Sequence, residues 1–272
     1  MQDFSMSFRE MGASLWRNRY LLKKSVQREV IGRYRGSALG VLWSLFQPIF
    51  MLAVYTFVFS VVFKARWPGG SDSKTEFALI LFSGLMVFNL FAECVNRAPN
   101  LILDNVNYVK RVIFPLEILP WVVLGGAVFN AGVSFLVWLV ADILLQGIPP
   151  WTIILYPVTL APLCILTVGF SFFLSSLGVF IRDIAQMITI ITTALLFLTP
   201  IFFAVENLPP AYQLLLNFNP LSGIVEQCRR VLLWGKLPDV TTLFLQYAVS
   251  ILICWLGFAW FQKTRKGFAD VI

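Results

Sequence analysis

The sequence predicts an all-α integral membrane protein. It would have six transmembrane helices, an N-terminal amphipathic interface helix, and two short helices between spans 5 and 6 on the outer side. Three observations predict this class. Of the 272 residues, 58% are hydrophobic and 13% charged, with mean hydropathy +0.80. A soluble domain carries about 25% charge, so this chain folded in water would lack the polar groups to cover its surface. Six charge-free runs approach the length of a membrane span, and the basic residues are unevenly shared between the segments that join them. A cytosolic enzyme, a nucleic-acid-binding domain and a disordered regulator are excluded on composition.

The spans follow in order. The first, Leu39–Phe63, lies between Arg35 and Lys64. Phe77–Ala92 is the second and shortest, extendable to Asn96. Ile118–Ala141 is the third, with Asp142 at its end, and Ile153–Ile181 is the fourth and longest. Ile184–Val205 and Val240–Gln262 complete the set. Each must be helical, because lipid offers no partner to an open N–H or C=O. About 35 mostly polar and basic residues precede the first run, so no cleaved signal peptide is expected. Six spans put both termini on one side. That side holds fifteen of the 21 Lys and Arg residues and the opposite side six, which places the termini inside and accounts for the net charge of +7 without nucleic acid. Residues 1–38 form an interface segment and 39–272 the transmembrane domain.

Between the spans, three segments carry pattern. In residues 7–31, Phe8, Met11, Leu15, Leu22 and Val26 share one helical face and basic residues fill much of the rest, as in a helix at the cytoplasmic interface. It serves either as an anchor or as a docking surface. Residues 99–115 offer capping groups at Asn100, Asp104, Asn105 and Asn107 between prolines, which fits a short cytoplasmic helix or a simple loop. Residues 207–234 read as two short helices broken at Asn219-Pro220, re-entrant or lying on the surface. The loop Lys64–Glu76, with Trp67-Pro68-Gly69-Gly70-Ser71, is a turn-rich connector.

Catalytic signatures are missing. Histidine is absent, the four cysteines are scattered, and no GxxxxGK[ST] phosphate-binding loop occurs. Ionisable residues in the spans are limited to Glu93 and Asp142 near their ends, which argues against ion coupling. Aromatics are abundant, with 26 Phe, 9 Trp and 7 Tyr. On span 1, Trp43, Phe46, Gln47, Phe50, Val54 and Phe57 share a face, which suits either helix packing or a passage that stacks and hydrogen-bonds sugars. On span 5, Gln186, Thr189, Thr192 and Thr193, with Phe203 beyond them, are a weaker polar path. Cys164, Thr167, Ser171, Ser175 and Gly178 on span 4 read as a close-packing seam.

Several stretches together resemble the membrane subunit of ABC-2-type polysaccharide exporters, with O-antigen (lipopolysaccharide) permeases nearest. They are residues 28–43, REVIGRYRGSALGVLW, followed by Gln47-Pro48; Lys110–Pro115 with Ile118-Leu119-Pro120; Arg182-Asp183-Ile184; Thr199-Pro200-Ile201; and Asn219-Pro220-Leu221. The resemblance covers nearly the whole chain. It implies a homodimer of six-span subunits in the bacterial inner membrane, working with two copies of a separate ATPase that carries ATP and Mg. The chain itself would hold no cofactor and no metal. The pair would export a lipid-linked polysaccharide from cytoplasm to periplasm. Asn100, Leu103, Asp104, Asn105 and Tyr108 would couple to the ATPase, and Arg28, Arg33, Tyr34 and Arg35 would form a gate or interface. Trp43, Phe46, Gln47, Phe50, Phe57, Thr189, Thr193 and Phe203 would line the substrate path, and the helices of 207–234 would shape the periplasmic exit. The competing readings are an ABC-2 exporter of drugs or small lipids, and a channel or membrane-embedded glycan enzyme without an ATPase.

Overall fold

The computed structural model describes residues 5–36, 39–62, 67, 74–109, 114–209, 212–213, 216 and 219–272. Every regular element among them is helical: α1 (Phe8–Arg17), α2 (Arg19–Tyr34), α3 (Trp43–Tyr55), α4 (Lys74–Arg97), α5 (Val106–Val109), α6 (Leu119–Leu145), α7 (Tyr156–Phe180), α8 (Ile184–Leu198), α9 (Pro220–Leu232), α10 (Val240–Thr264) and α11 (Phe268–Val271). Four helical stretches are long and apolar enough to cross a membrane: Thr75–Asn100, Leu116–Leu145, Trp151–Phe180 and Val240–Val271. Trp43–Phe59 and Ile184–Leu198 are apolar but shorter. The first run starts in a 3-10 turn at Gly40–Leu42, and beyond α3 the backbone stays helical as a π-helix over Thr56–Val62. Phe63, most of the loop to Glu76, and Lys110–Ile113 lie outside the described residues.

The shortest apolar run of the sequence forms the centre of the bundle. From Phe77 to Phe91, only Asn89 of α4 is exposed. The helix is apolar on all sides because α6, α7, α8, α9 and the π-helix pack around it. Trp138 of α6 is fully buried and its indole N–H donates to the Leu79 carbonyl at 3.1 Å.

Helices α7 and α10 make the closest crossing. A Cβ on Gly169 would stand 2.7 Å from the Cys254 Cα, and one on Gly257 would stand 2.2 Å from the Gly169 carbonyl oxygen. Small residues let two backbones meet where lipid supplies no hydrophobic drive. The stripe expected on span 4 is buried at Thr167, Ser171, Ser175 and Gly178 and half-buried at Cys164, but the α10 crossing falls on Gly169 outside it, and Gly178 meets Pro99 instead. All four cysteines are free.

Span 5 ends at Leu198, short of the expected Val205. Thr199 precedes a proline, which disfavours helical backbone there, and its φ and ψ are −97° and 140°. Of the expected pair of short helices, the first falls largely outside the described residues. The second is α9, capped by Asn219, whose side-chain oxygen accepts from the Leu221 N–H at 3.0 Å. It is packed against α4 and α7 and does not lie on the surface. Its Arg229 is 1% exposed and donates to the carbonyls of Pro200 (2.6 Å) and Ile201 (3.0 Å). That guanidinium closes the turn after α8. It fits because Gly84 has no side chain: a Cβ there would stand 2.8 Å from Arg229 Nη2.

The N-terminal segment is two helices, broken at Asn18. The Asn18 N–H returns to the Ser14 carbonyl at 3.0 Å. The expected apolar face does not sink as a unit. Phe8 stays exposed, Met11, Leu15, Leu22 and Val26 are half-buried, and the fully buried residues are Ser14 and Ser25. Ser14 turns inward because its hydroxyl donates to Glu117 at 2.9 Å, and next to Ser25 helix α2 lies so close on α6 that Val26 Cγ2 would be 2.5 Å from a Cβ on Gly125.

The α7–α10 crossing makes a direct prediction. Gly169→Ala forces backbone apart and lowers thermal stability in detergent by about 1–3 kcal/mol. Gly132→Ala, with nothing within 4 Å, leaves it unchanged. Equal melting temperatures for the two variants would contradict this packing.

Candidate functional site

Helix α2 presents Arg28, Glu29 and Arg33 toward the C-terminal end of α4 and the N-terminal half of α6. Glu29 and Arg33 are one turn apart and pair at 3.1 Å. Arg97, the last residue of α4, donates to the same Glu29 oxygen at 2.8 Å. Arg33 also pairs with Glu93 of α4. The Asn130 amide of α6 donates to Glu93 at 3.1 Å, and the Tyr34 hydroxyl donates to Asn130 Oδ1 at 3.2 Å. Room for the Arg33 guanidinium comes from Gly126, where a Cβ would stand 2.9 Å from its Nη2.

This network is the wall between two cavities. A cleft of about 390 Å³ lies on one side, lined by Arg28, Glu29, Leu101, Asp104 and Asn105 among others. A larger cavity of about 670 Å³ lies on the other, lined by Gln47, Tyr55, Asn89, Glu93, Asn130 and Ser134 among others. Arg33 and Arg97 line both. Burial raises the Glu29 pKa, but hydrogen bonds and charge from Arg97 and Arg33 outweigh it, so the carboxyl titrates below its ordinary value. Burial lowers the Arg33 pKa, and Glu93 and Glu29 more than restore it, holding it above the ordinary value.

The segment after α4 is built from 3-10 turns at Ala98–Asn100 and Leu103–Asn105, then the single turn α5. Asn100 and Asp104 are exposed, and Leu103 is half-buried. The Asn105 amide donates back to the Leu101 carbonyl at 2.9 Å. Arg28 Nη2 donates to the Tyr108 hydroxyl at 2.6 Å, and that ring stacks on Phe114 with centroids 4.1 Å apart. Part of each group expected to serve coupling and gating meets in one cleft: Asp104 and Asn105 line it with Arg28 and Arg33, and Arg28 reaches Tyr108. Tyr34 lines the larger cavity instead, Asn100 and Leu103 line neither, and Arg35 is the exposed, extended cap of α2.

A family model described as ABC-2 type transporter matches residues 20–233. The chain belongs to the ABC-2 type transporter family. It is 28% identical to the O-antigen export system permease protein RfbA of Myxococcus xanthus, over 95% of this chain and 97% of the relative. It is 24% identical to a protein of the same name from Klebsiella pneumoniae, over 93% and 95%. With the polysialic acid transport protein KpsM of Escherichia coli it shares 23%, over 88% and 91%. The part matching the ABC-2 model runs from α2 through α9, so both cavities fall within it.

The residues expected along a path in this ABC-2 chain are not brought to one lining. Gln47 faces the larger cavity. Trp43, Phe46 and Phe50 stand on the exterior as a ladder, edge-to-face at 5.3 Å and then stacked at 5.9 Å, and Phe57 is also exposed. Thr189 and Thr193 are exposed, and their hydroxyls bond to carbonyls of their own helix. Thr192 is the buried threonine, donating to Asn96 Oδ1 at 2.7 Å and tying α8 to α4. Phe203 is half-buried beyond α8. Sequence reading missed the Glu29–Arg97 pair and Asn130. Asn130 had a partial signal as an amide inside an apolar run, while the pairing of Glu29 with Arg97 across two helices had none. Among the described residues, no group of three or more Cys, Asp or Glu comes together to hold a metal.

Because the Glu29 pKa is depressed, its contribution is full at neutral pH. It is lost as pH falls through the depressed folded value. Limited proteolysis should therefore release α2 in acid, and Glu29→Gln should release it already at neutral pH. Equal protection of the variant and wild type at neutral pH would refute the role of the pair.

Proposed function

We propose that the chain is the membrane-spanning permease subunit of an ATP-driven exporter, moving lipid-linked polysaccharide, O-antigen in particular, from cytoplasm to periplasm across the bacterial inner membrane. It works as a homodimer of six-span subunits with both termini cytoplasmic. In this reading α3 and α8 serve as the two shorter spans, surrounded by membrane lipids. Two copies of a separate ATPase supply ATP and Mg chemistry. The observation that carries the reading is the junction of α2 with α4 through ion pairs beside the segment after α4, a segment that in this reading is the cytoplasmic docking surface. End-to-end similarity to permeases named for O-antigen export supports the cargo.

In this reading Asn100, Leu103, Asp104, Asn105 and Tyr108 receive the ATPase, and Arg28, Arg33 and Tyr34 relay its motion. Arg35 marks where α2 gives way to the path span. Trp43, Phe46, Phe50 and Phe57 offer sugar faces a stacking ladder, while Gln47 offers an amide to hydroxyls. Thr189, Thr193 and Phe203 complete the path, which forms only when a second copy closes over the exposed faces of α3 and α8. Helix α9 shapes the periplasmic exit.

The test is export in vesicles holding the permease, its ATPase, ATP and Mg. The permease alone should hydrolyse no ATP. Leu103→Pro should stop export without blocking insertion, because it forces Ile102, now at φ −77° and ψ −40°, out of helical backbone. Phe46→Ala with Phe50→Ala should cut export while melting is unchanged, whereas Phe59→Ala, stacked on Phe202, should lower melting. Normal export by the Leu103→Pro protein would overturn the coupling role.

A further inference from the structure

The docking segment is fixed at both arms by contacts that the proposed function does not use. On its incoming arm, Pro99 is pressed on α7: a Cβ at Gly178 would stand 2.0 Å from the Pro99 carbonyl oxygen. On its outgoing arm sits Glu117, in the 3-10 turn Leu116–Ile118. Both of its carboxylate oxygens are engaged. Ser14 of α1 donates to one at 2.9 Å, and Arg265, just past α10, donates to the other at 2.6 Å. Arg265 also donates to the Phe114 carbonyl at 3.2 Å. The Glu117 and Arg265 side chains are each only 11% exposed.

One carboxylate thus joins three parts of the chain that are remote in sequence. Helix α1 is held to α10 as well, through the Trp255 indole N–H, which donates to the Met6 carbonyl at 3.2 Å, and through Met11 and Cys254, whose sulfurs are 3.9 Å apart. Ser14 is buried, and its hydroxyl reaches the bundle through this carboxylate. A surface ion pair contributes little and is screened, whereas this pair is largely withdrawn from water and hydrogen-bonded on both oxygens.

We propose that Glu117 is a positioning residue for energy coupling. It braces the outgoing arm of the docking segment against α1 and the end of α10, so that a push on the segment reaches α10 as well as α7. Without the brace, the outgoing arm yields locally and the push is spent there. The inference rests on the docking reading above, and the experiment separates the two.

The experiment measures ATPase binding, ATP hydrolysis and glycan export on reconstituted complexes carrying Glu117→Gln, Arg265→Met, or both. Wild-type complexes test the docking reading itself: no ATPase binding there refutes that reading, and the brace with it. Export per ATP is the readout for the brace, because a variant that only reduces the amount of folded complex lowers both quantities together. Each single variant is expected to bind the ATPase and hydrolyse ATP, with export per ATP reduced about ten-fold, within the usual range of coupling between sites. The double variant should lose no more than either single one, as members of one unit do. Unchanged export per ATP in the single variants overturns the proposal, and so do losses that multiply in the double variant.

Discussion

The structure depends on a charged wall set at the C-terminal end of α4, whose preceding stretch Phe77–Phe91 is almost wholly apolar. That stretch is buried by the helices packed around it, with Asn89 its one exposed residue. Its last turns carry Glu93 and Arg97, and neither can stay uncompensated next to hydrocarbon. Helix α2 supplies the opposite charges in Arg33 and Glu29, and α6 supplies the Asn130 amide. An N-terminal helix that would otherwise float at the interface is thereby fixed in register against the bundle. The same guanidinium groups separate the cleft beside the docking segment from the cavity behind α3. Movement on one side has to disturb charges seen by the other.

Around that wall the bundle is held by close approach. The α7–α10 crossing at Gly169 and Gly257, the seat of α2 on Gly125 and Gly126, and the contact of Gly178 with Pro99 all place backbone or a packed side chain where a Cβ would stand. Arg229 does the corresponding work at the other end, filling the space over Gly84 and satisfying the carbonyls left open where α8 stops. Each device fixes a helix end or a crossing. The exposed faces of α3 and α8 have no such device and remain open to whatever covers them.

Helix class, the long apolar stretches and the burial of the span 4 stripe were legible in the sequence because lipid permits few solutions and small residues have few uses inside it. The end of α8 was misjudged by hydropathy, since Thr199-Pro200-Ile201 is apolar enough to extend a run but its proline forbids the helix. The N-terminal face was misjudged for a related reason: periodicity marks the apolar residues, whereas Ser14 turns inward to donate to Glu117 and Ser25 lines the cleft between α2 and α6. Among the candidate site residues, Asp104 and Asn105 stood out as capping groups between prolines, whereas Arg28 and Tyr108 were singled out by the family resemblance, and the structure sets all four around one cleft. Glu29, Arg97 and Asn130 were missed because their importance lies in pairing across separate helices, which no single segment reveals. Gln47 and its neighbouring rings were grouped by helical angle, yet only Gln47 lines the cavity while Trp43, Phe46 and Phe50 stand exposed outside it.

The central claim is that α2 and the docking segment move as one body. The direct measurement is export after joining Arg28→Cys to Tyr108→Cys with a short bismaleimide that contains a reducible disulfide, in complexes whose native cysteines are buried or half-buried. A rigid junction predicts that the cross-linked permease, bound to its ATPase, exports at the rate of the same double variant before cross-linking, because the linker holds together two elements that do not part. Arrest of export on cross-linking, reversed when the linker is cleaved, would mean that α2 and the segment part during the cycle, and would contradict the account.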